Sequence, residues 1–171
     1  MSTPTWKRRA IQTLRSLVPT DRISLLGIGS ELRGDDAVGL EIARQLKQKI
    51  TAPSCQVIEA GTSPENFTSI LRQFAPAVVL LIDAAQMDEP PGTIRWLSSD
   101  DIAALPATTH ALPLNLLAQY LQKEINCQIA LIGIQPLHTD FQAPITKSIL
   151  LAMGEVVMVL EEYFLDPGLI E

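Results

Sequence analysis

Two adjacent acids, Asp35 and Asp36, close the glycine-rich stretch GIGSELRGDD at residues 27–36. A third acid, Asp83, ends the apolar run Ala77-Val78-Val79-Leu80-Leu81-Ile82. The chain has two histidines, His110 and His138, and both fall in segments that read as loops. Carboxylates that converge on one place raise each other's pKa unless a cation lies between them. Acids with an imidazole suit two kinds of work. One is proton transfer to and from water. The other is coordination of a borderline divalent ion such as nickel, zinc or manganese, with positions left open for water or substrate. Asp35 and Asp36 also have a structural reading, as cap and dipole partner of the helix that follows. Residue type alone does not choose between His110 and His138.

The turn is not a phosphate loop. A dinucleotide fingerprint needs a glycine at residue 32, where the chain has Leu32. Gly29 and Gly34 have P-loop spacing, but Asp35-Asp36 stands where Lys and Ser or Thr would be. A helix N-terminus attracts anions through its free N–H groups, and here two carboxylates already occupy that field. Other catalytic schemes are missing too. There is no His-Glu-x-x-His pair for zinc and no Gly-x-Ser-x-Gly elbow. Cys55 and Cys127 are the only cysteines and make no Cys-x-x-Cys unit, and Cys127 beside an apolar strand reads as core. This usage fits a reducing compartment, and a cytoplasmic location is expected.

Alternating strand and helix patterns position these residues. Residues 23–28, 56–60, 77–82 and 128–134 read as strands, and residues 93–97 as a shorter one at an edge. The unbroken apolar run before Asp83 suits a parallel strand covered on both faces. Val38, Ile42, Leu46 and Ile50 form a helical stripe over 36–50. Ser63 and Pro64 read as cap and first residue of a helix with Phe67, Ile70, Leu71 and Phe74 inward. Ser98-Ser99-Asp100-Asp101 caps a short helix through Leu105, a helix follows from Pro113 to Ile125, and Pro144 opens a closing helix to Phe164. The pattern predicts an α/β fold: three layers, a doubly wound and mostly parallel sheet of about five strands, with helices on both faces. Ligands bind such sheets outside the carboxyl ends of the strands. Asp35, Asp36 and Asp83 are therefore expected on one rim.

At 171 residues, 47% hydrophobic and 19% charged, the chain can bury a core. Residues 1–20 carry Lys7, Arg8, Arg9 and Arg15 without an acid, and Trp6, Ile11, Leu14 and Leu17 have helical spacing. They are expected to form a basic amphipathic helix on a single α/β domain of residues 21–171. The net charge of −6 disfavours a nucleic-acid partner. No apolar run approaches the ~18 residues of a membrane span.

Six segments in this order resemble the hydrogenase maturation endopeptidases, over about residues 23–160. They are Leu26-Gly27-Ile28-Gly29 with Gly34-Asp35-Asp36-Ala37-Val38-Gly39, then Gly61-Thr62-Ser63-Pro64-Glu65-Asn66, then Leu81-Ile82-Asp83-Ala84. Pro91-Gly92-Thr93-Ile94-Arg95, Thr108-Thr109-His110-Ala111-Leu112-Pro113-Leu114-Asn115 and Leu131-Ile132-Gly133-Ile134-Gln135-Pro136 complete the set. The Ser-Pro-Glu-Asn and Thr-Thr-His forms look like the branch serving hydrogenase 3-type enzymes. Ser30 stands where the family usually has Asn, and Ala37 where Gly is frequent.

The resemblance implies an endopeptidase that removes the C-terminal extension of a nickel–iron hydrogenase large-subunit precursor once nickel has been inserted. It implies metal-directed roles for Asp36, Asp83 and His110, with nickel supplied by the precursor and other divalent ions able to occupy the site. It also implies a catalytic or supporting role for Asp35 beside Asp36, and leaves His138 on the surface. The partner implied is the large-subunit precursor, with no nucleic acid and no membrane. The alternative reading is a non-catalytic small-molecule or nucleotide-binding α/β module, its acids serving as helix caps.

Overall fold

The computed structural model describes residues 5–106 and 113–165. Strands β1 (Ile23–Ile28), β2 (Cys55–Gly61), β3 (Val78–Ala84), β4 (Ile94–Ser98) and β5 (Gln128–Ile134) form one sheet in the order β2-β1-β3-β5-β4. All neighbours are parallel except β4, which runs antiparallel to β5 and forms an edge. Helices α1 (Thr5–Arg15), α2 (Val38–Lys49), α3 (Thr68–Phe74), α4 (Ser99–Ala103), α5 (Leu114–Ile125) and α6 (Lys147–Leu165) cover both faces. Among the described residues no helix is long and apolar enough to cross a membrane.

Strand alternation divides the core into two clusters. Leu25, Leu80, Ile82, Ala130 and Ile132 face α1, α2 and α6, together with Trp6, Leu14, Ile42, Val156 and Leu160. Leu26, Val79, Leu81, Ile129 and Leu131 face α3, α4 and α5, together with Leu71, Ile102, Leu117 and Leu121. The parallel strands are apolar on both faces because both are covered. Of the expected basic amphipathic helix over residues 1–20, Thr5–Arg15 forms α1, with Trp6, Ala10, Ile11 and Leu14 buried, and residues 1–4 lie outside the described residues. The Trp6 indole donates to Glu155 Oε1 at 3.1 Å and the Tyr163 hydroxyl to the Leu14 carbonyl at 2.9 Å, so α1 is bound to α6.

The chain leaves β1 for β2 on one side and later returns to β3 on the other. The switch in winding direction therefore falls between β1 and β3, where such sheets open a crevice. Glycines let α2 press against that point. A Cβ on Gly39 would lie 2.0 Å from the Ile82 carbonyl oxygen and 2.3 Å from that of Ile28. Gly29, at φ +137°, lets the chain turn directly under residue 36. These glycines serve backbone contact between helix and strands.

Three element starts differ from the sequence reading. Gly34–Ala37 is a 3-10 turn, and α2 proper begins at Val38. Pro64–Phe67 is likewise a 3-10 turn, and the Ser63 side chain makes no capping bond to it. The closing helix starts at Lys147 rather than Pro144, because Thr146 is drawn into a tertiary contact with Asp35.

Candidate active site

The first strand delivers the turn 29–37 to the carboxyl rim, and the two acids there separate. Asp35 is fully buried. Its Oδ2 accepts from the backbone N–H of Leu137 at 2.9 Å and of His138 at 3.4 Å. Its Oδ1 accepts from the Thr146 N–H at 2.7 Å, and the Thr146 hydroxyl lies within 3.0 Å of both oxygens. The Asp35 N–H in turn donates to the His138 carbonyl at 3.2 Å. One carboxylate thus anchors both ends of the loop 136–146, and its acceptor capacity is taken up inside the protein.

Asp36 is 6% exposed and lines a cleft of about 240 Å³ together with Ala84, Gln86, Pro136, Leu137, His138 and Thr139. The Ser30 N–H donates to its Oδ2 at 3.0 Å. Among the described residues the Asp36 carboxylate accepts no other hydrogen bond. Ser30 therefore acts through its backbone, and its hydroxyl turns to the Leu32 N–H at 3.3 Å. The Ala37 methyl is buried and faces the core rather than the cleft.

Asp83 is fully buried near the end of β3, one residue before the cleft-lining Ala84. The alternation that sends Val79 and Leu81 to one face sends Asp83 there too, toward the layer of α4 and α5. His110 lies outside the described residues, in the segment that joins those two helices. Among the described residues no group of three or more metal-ligating side chains is assembled. Asp36 and Asp83 share a rim, as the topology predicts, and the 3-10 turn of Asp36 packs on β3.

His138 departs from its expected surface position. It is half-buried against Gly34 and lines the same cleft as Asp36, because the Asp35 anchor pulls its backbone inward. Its Nδ1 lies 3.7 Å from Asp140 Oδ2. Sequence reading also passes over Gln135, a buried polar side chain at the end of β5. Its Oε1 accepts from the Met87 N–H at 2.7 Å and the Glu89 N–H at 3.4 Å, tying down the loop that follows Asp83. The thiols are not nucleophiles at neutral pH. Burial pushes Cys55 up to about 12 and Cys127 up to about 11, so both stay protonated.

The rim therefore offers buried carboxylates beside an accessible cleft. That donor set suits hard or borderline cations and water activation, and it repels a phosphate. The family model of hydrogenase maturation proteases of the HycI type matches residues 40–162. The hydrogenase 3 maturation protease of Escherichia coli K12 is 36% identical over 140 residues, covering 80% of this chain and 87% of that one. The solution structure of the endopeptidase HycI from Escherichia coli superposes with a TM-score of 0.73 at 33% identity, over 83% of this chain and 90% of that one. The crystal structure of a nickel–iron hydrogenase maturation protease from Thermococcus kodakarensis superposes with a TM-score of 0.81 at 26% identity, over 91% of this chain and 99% of that one. Membership of an enzyme family removes the non-catalytic module as a reading. This chain belongs to the hydrogenase maturation protease family and is an endopeptidase.

Proposed function

We propose that this endopeptidase removes the C-terminal extension of a nickel–iron hydrogenase large-subunit precursor after nickel has been inserted. The observation that carries this reading is the pair Asp36 and Asp83, two buried carboxylates at neighbouring strand ends of a fold belonging to this family. Asp36, Asp83 and His110 form an incomplete ligand set. Such a set engages a nickel ion that the precursor already carries, and so locates the scissile bond. The precursor is the partner, and its nickel is part of the substrate.

Peptide hydrolysis adds the oxygen of water to the carbonyl carbon and breaks the C–N bond. The proton lost by water ends on the leaving amine. A carboxylate within reach of the water serves as the acceptor in transit. Of the two adjacent acids, Asp36 borders the cleft, whereas the Asp35 oxygens are covered by Leu137, His138 and Thr146. The proton-accepting role is therefore assigned to Asp36. Asp35 supports it by fixing the turn and the opposite wall of the cleft.

The test is a gel assay with purified precursor, with and without nickel. Shortening of the precursor only when nickel is loaded is the expected result. Equal cleavage of the nickel-free precursor would remove nickel recognition from the account. Failure to cleave any hydrogenase precursor would remove the substrate assignment.

A further inference from the structure

Two exposed depressions meet at one residue. Gln86 lines the Asp36 cleft and also a wider groove of about 440 Å³ bordered by Met87, Glu89, Arg95, Leu97 and Leu105. It follows Asp83 closely in the chain, and its side chain is exposed. An extended peptide that passes from the cleft into the groove must cross it.

The hydrogen-bond network settles which end of this amide faces the peptide. Gln135 is 4% exposed, and one end of its side chain receives two backbone N–H groups, from Met87 and Glu89. Only an oxygen can receive them, so the other end is the amino group. That amino group donates to Gln86 at 3.0 Å and to the Pro136 carbonyl at 3.2 Å, which uses both of its hydrogens. The Gln86 atom that receives it must be the amide oxygen. The Gln86 amino group is thereby turned away from Gln135. Among the described residues its single hydrogen bond there is a long one, 3.4 Å to Asp88 Oδ1. The backbone of residues 87 and 89 thus dictates, through two amides in series, that a donor is presented between cleft and groove.

A donor at this point complements the acids beside it. Carboxylates such as Asp36 accept hydrogen bonds or bind cations, and they cannot hold a carbonyl oxygen. A peptide main chain presents a carbonyl at every residue. We propose that Gln86, oriented by Gln135, donates a hydrogen bond to a main-chain carbonyl of the substrate segment that runs from the Asp36 cleft into the groove beside Arg95 and Leu97. The inference rests on the peptide-cleaving function proposed above, and makes Gln86 a substrate-positioning residue and Gln135 its orienting partner.

Steady-state cleavage of nickel-loaded precursor by wild type, Gln86→Ala, Gln86→Glu and Gln135→Leu tests it. Loss of one such hydrogen bond raises KM about three- to ten-fold in Gln86→Ala, with little change in kcat. Gln86→Glu raises KM further, because an acceptor replaces the donor. Gln86 is exposed, so water can take its place at the Gln135 amino group, and both variants stay folded. Gln135→Leu raises KM as well, and adds little when combined with Gln86→Ala, since both changes remove the same bond. If wild type cleaves while Gln86→Ala and Gln86→Glu keep KM within about twofold, a margin too small for a lost hydrogen bond, the proposal is overturned. Full additivity of the double variant overturns the orienting role of Gln135. A wild type that cleaves no nickel-loaded precursor shows itself before any substitution is made, and takes both the function and this inference with it.

Discussion

The carboxyl rim and the flank formed by α1, β4 and α6 are both well buried, but by opposite means. At the flank, Trp6, Leu14, Trp96, Val156 and Leu160 exclude water with apolar surface, and polar groups sit at the margin. At the rim, Asp35, Asp36, Asp83 and Gln135 are buried polar groups. A buried polar group is tolerated only where partners satisfy it. Asp35 and Gln135 have theirs inside the protein, and each fixes one loop. Among the described residues the Asp36 carboxylate accepts one hydrogen bond, and it opens on a cleft. The contrast separates polar residues whose partners lie inside the protein from one that faces the cleft. Among the described residues the flank holds no buried carboxylate.

Asp35→Ala should be the most damaging single change. It leaves the N–H groups of Leu137 and Thr146 and the Thr146 hydroxyl facing a void, at a cost of about 3–5 kcal/mol. Urea unfolding reads this directly. A small loss would mean that the loop 136–146 is held by something else. Leu14→Ala, at the flank, should cost about 3 kcal/mol by creating a cavity, with cleavage by the surviving folded protein unchanged. A selective loss of activity there would break the division between flank and rim. Gly39→Ala should cost about 1–3 kcal/mol, because the new methyl overlaps the Ile82 and Ile28 carbonyl oxygens and forces α2 off the strands.

The smallest effect belongs to the capping box of α4. The Ser98 N–H and hydroxyl both donate to Asp101, and the Ser98 hydroxyl accepts from the Asp101 N–H. Ser98→Ala should cost about 1 kcal/mol. The Ser98 backbone and hydroxyl donors hold the Asp101 carboxyl below its usual pKa. A carboxyl depressed in the folded state binds protons more readily when unfolded. Its contribution is therefore complete above the ordinary aspartate range and is lost as pH falls through the depressed folded value. The stability difference between wild type and Ser98→Ala should narrow on acidification, leaving only the share due to the cap bond from the Asp101 N–H. A difference that persists unchanged to low pH would contradict this.

Much of the architecture is legible in the sequence because it is written in local patterns. The apolar runs of β3 and β5, the stripe of α2, and the Ser98–Asp101 cap depend on residues near one another in the chain. The rim is written in distant pairs. Nothing around Asp35 announces that its partners are Leu137, His138 and Thr146. The same contacts delay α6 to Lys147 and draw His138 to the cleft, two features that a local reading misplaces. Gln135 stands beside Pro136 in a run that reads only as a strand end, and its bonds to residues 86, 87 and 89 exist only in three dimensions. The acids themselves were legible as a rim cluster, since topology alone brings strand ends together.

The central claim is that Asp36 acts while its neighbour Asp35 builds. Asp36→Asn keeps the size of the side chain and an oxygen for the Ser30 N–H, and removes the charge. Thermal unfolding and cleavage of nickel-loaded precursor should be measured on the same preparation. The account predicts a Tm near that of wild type and no shortened product. An Asp36→Asn protein that shortens the precursor at the wild-type rate would contradict it.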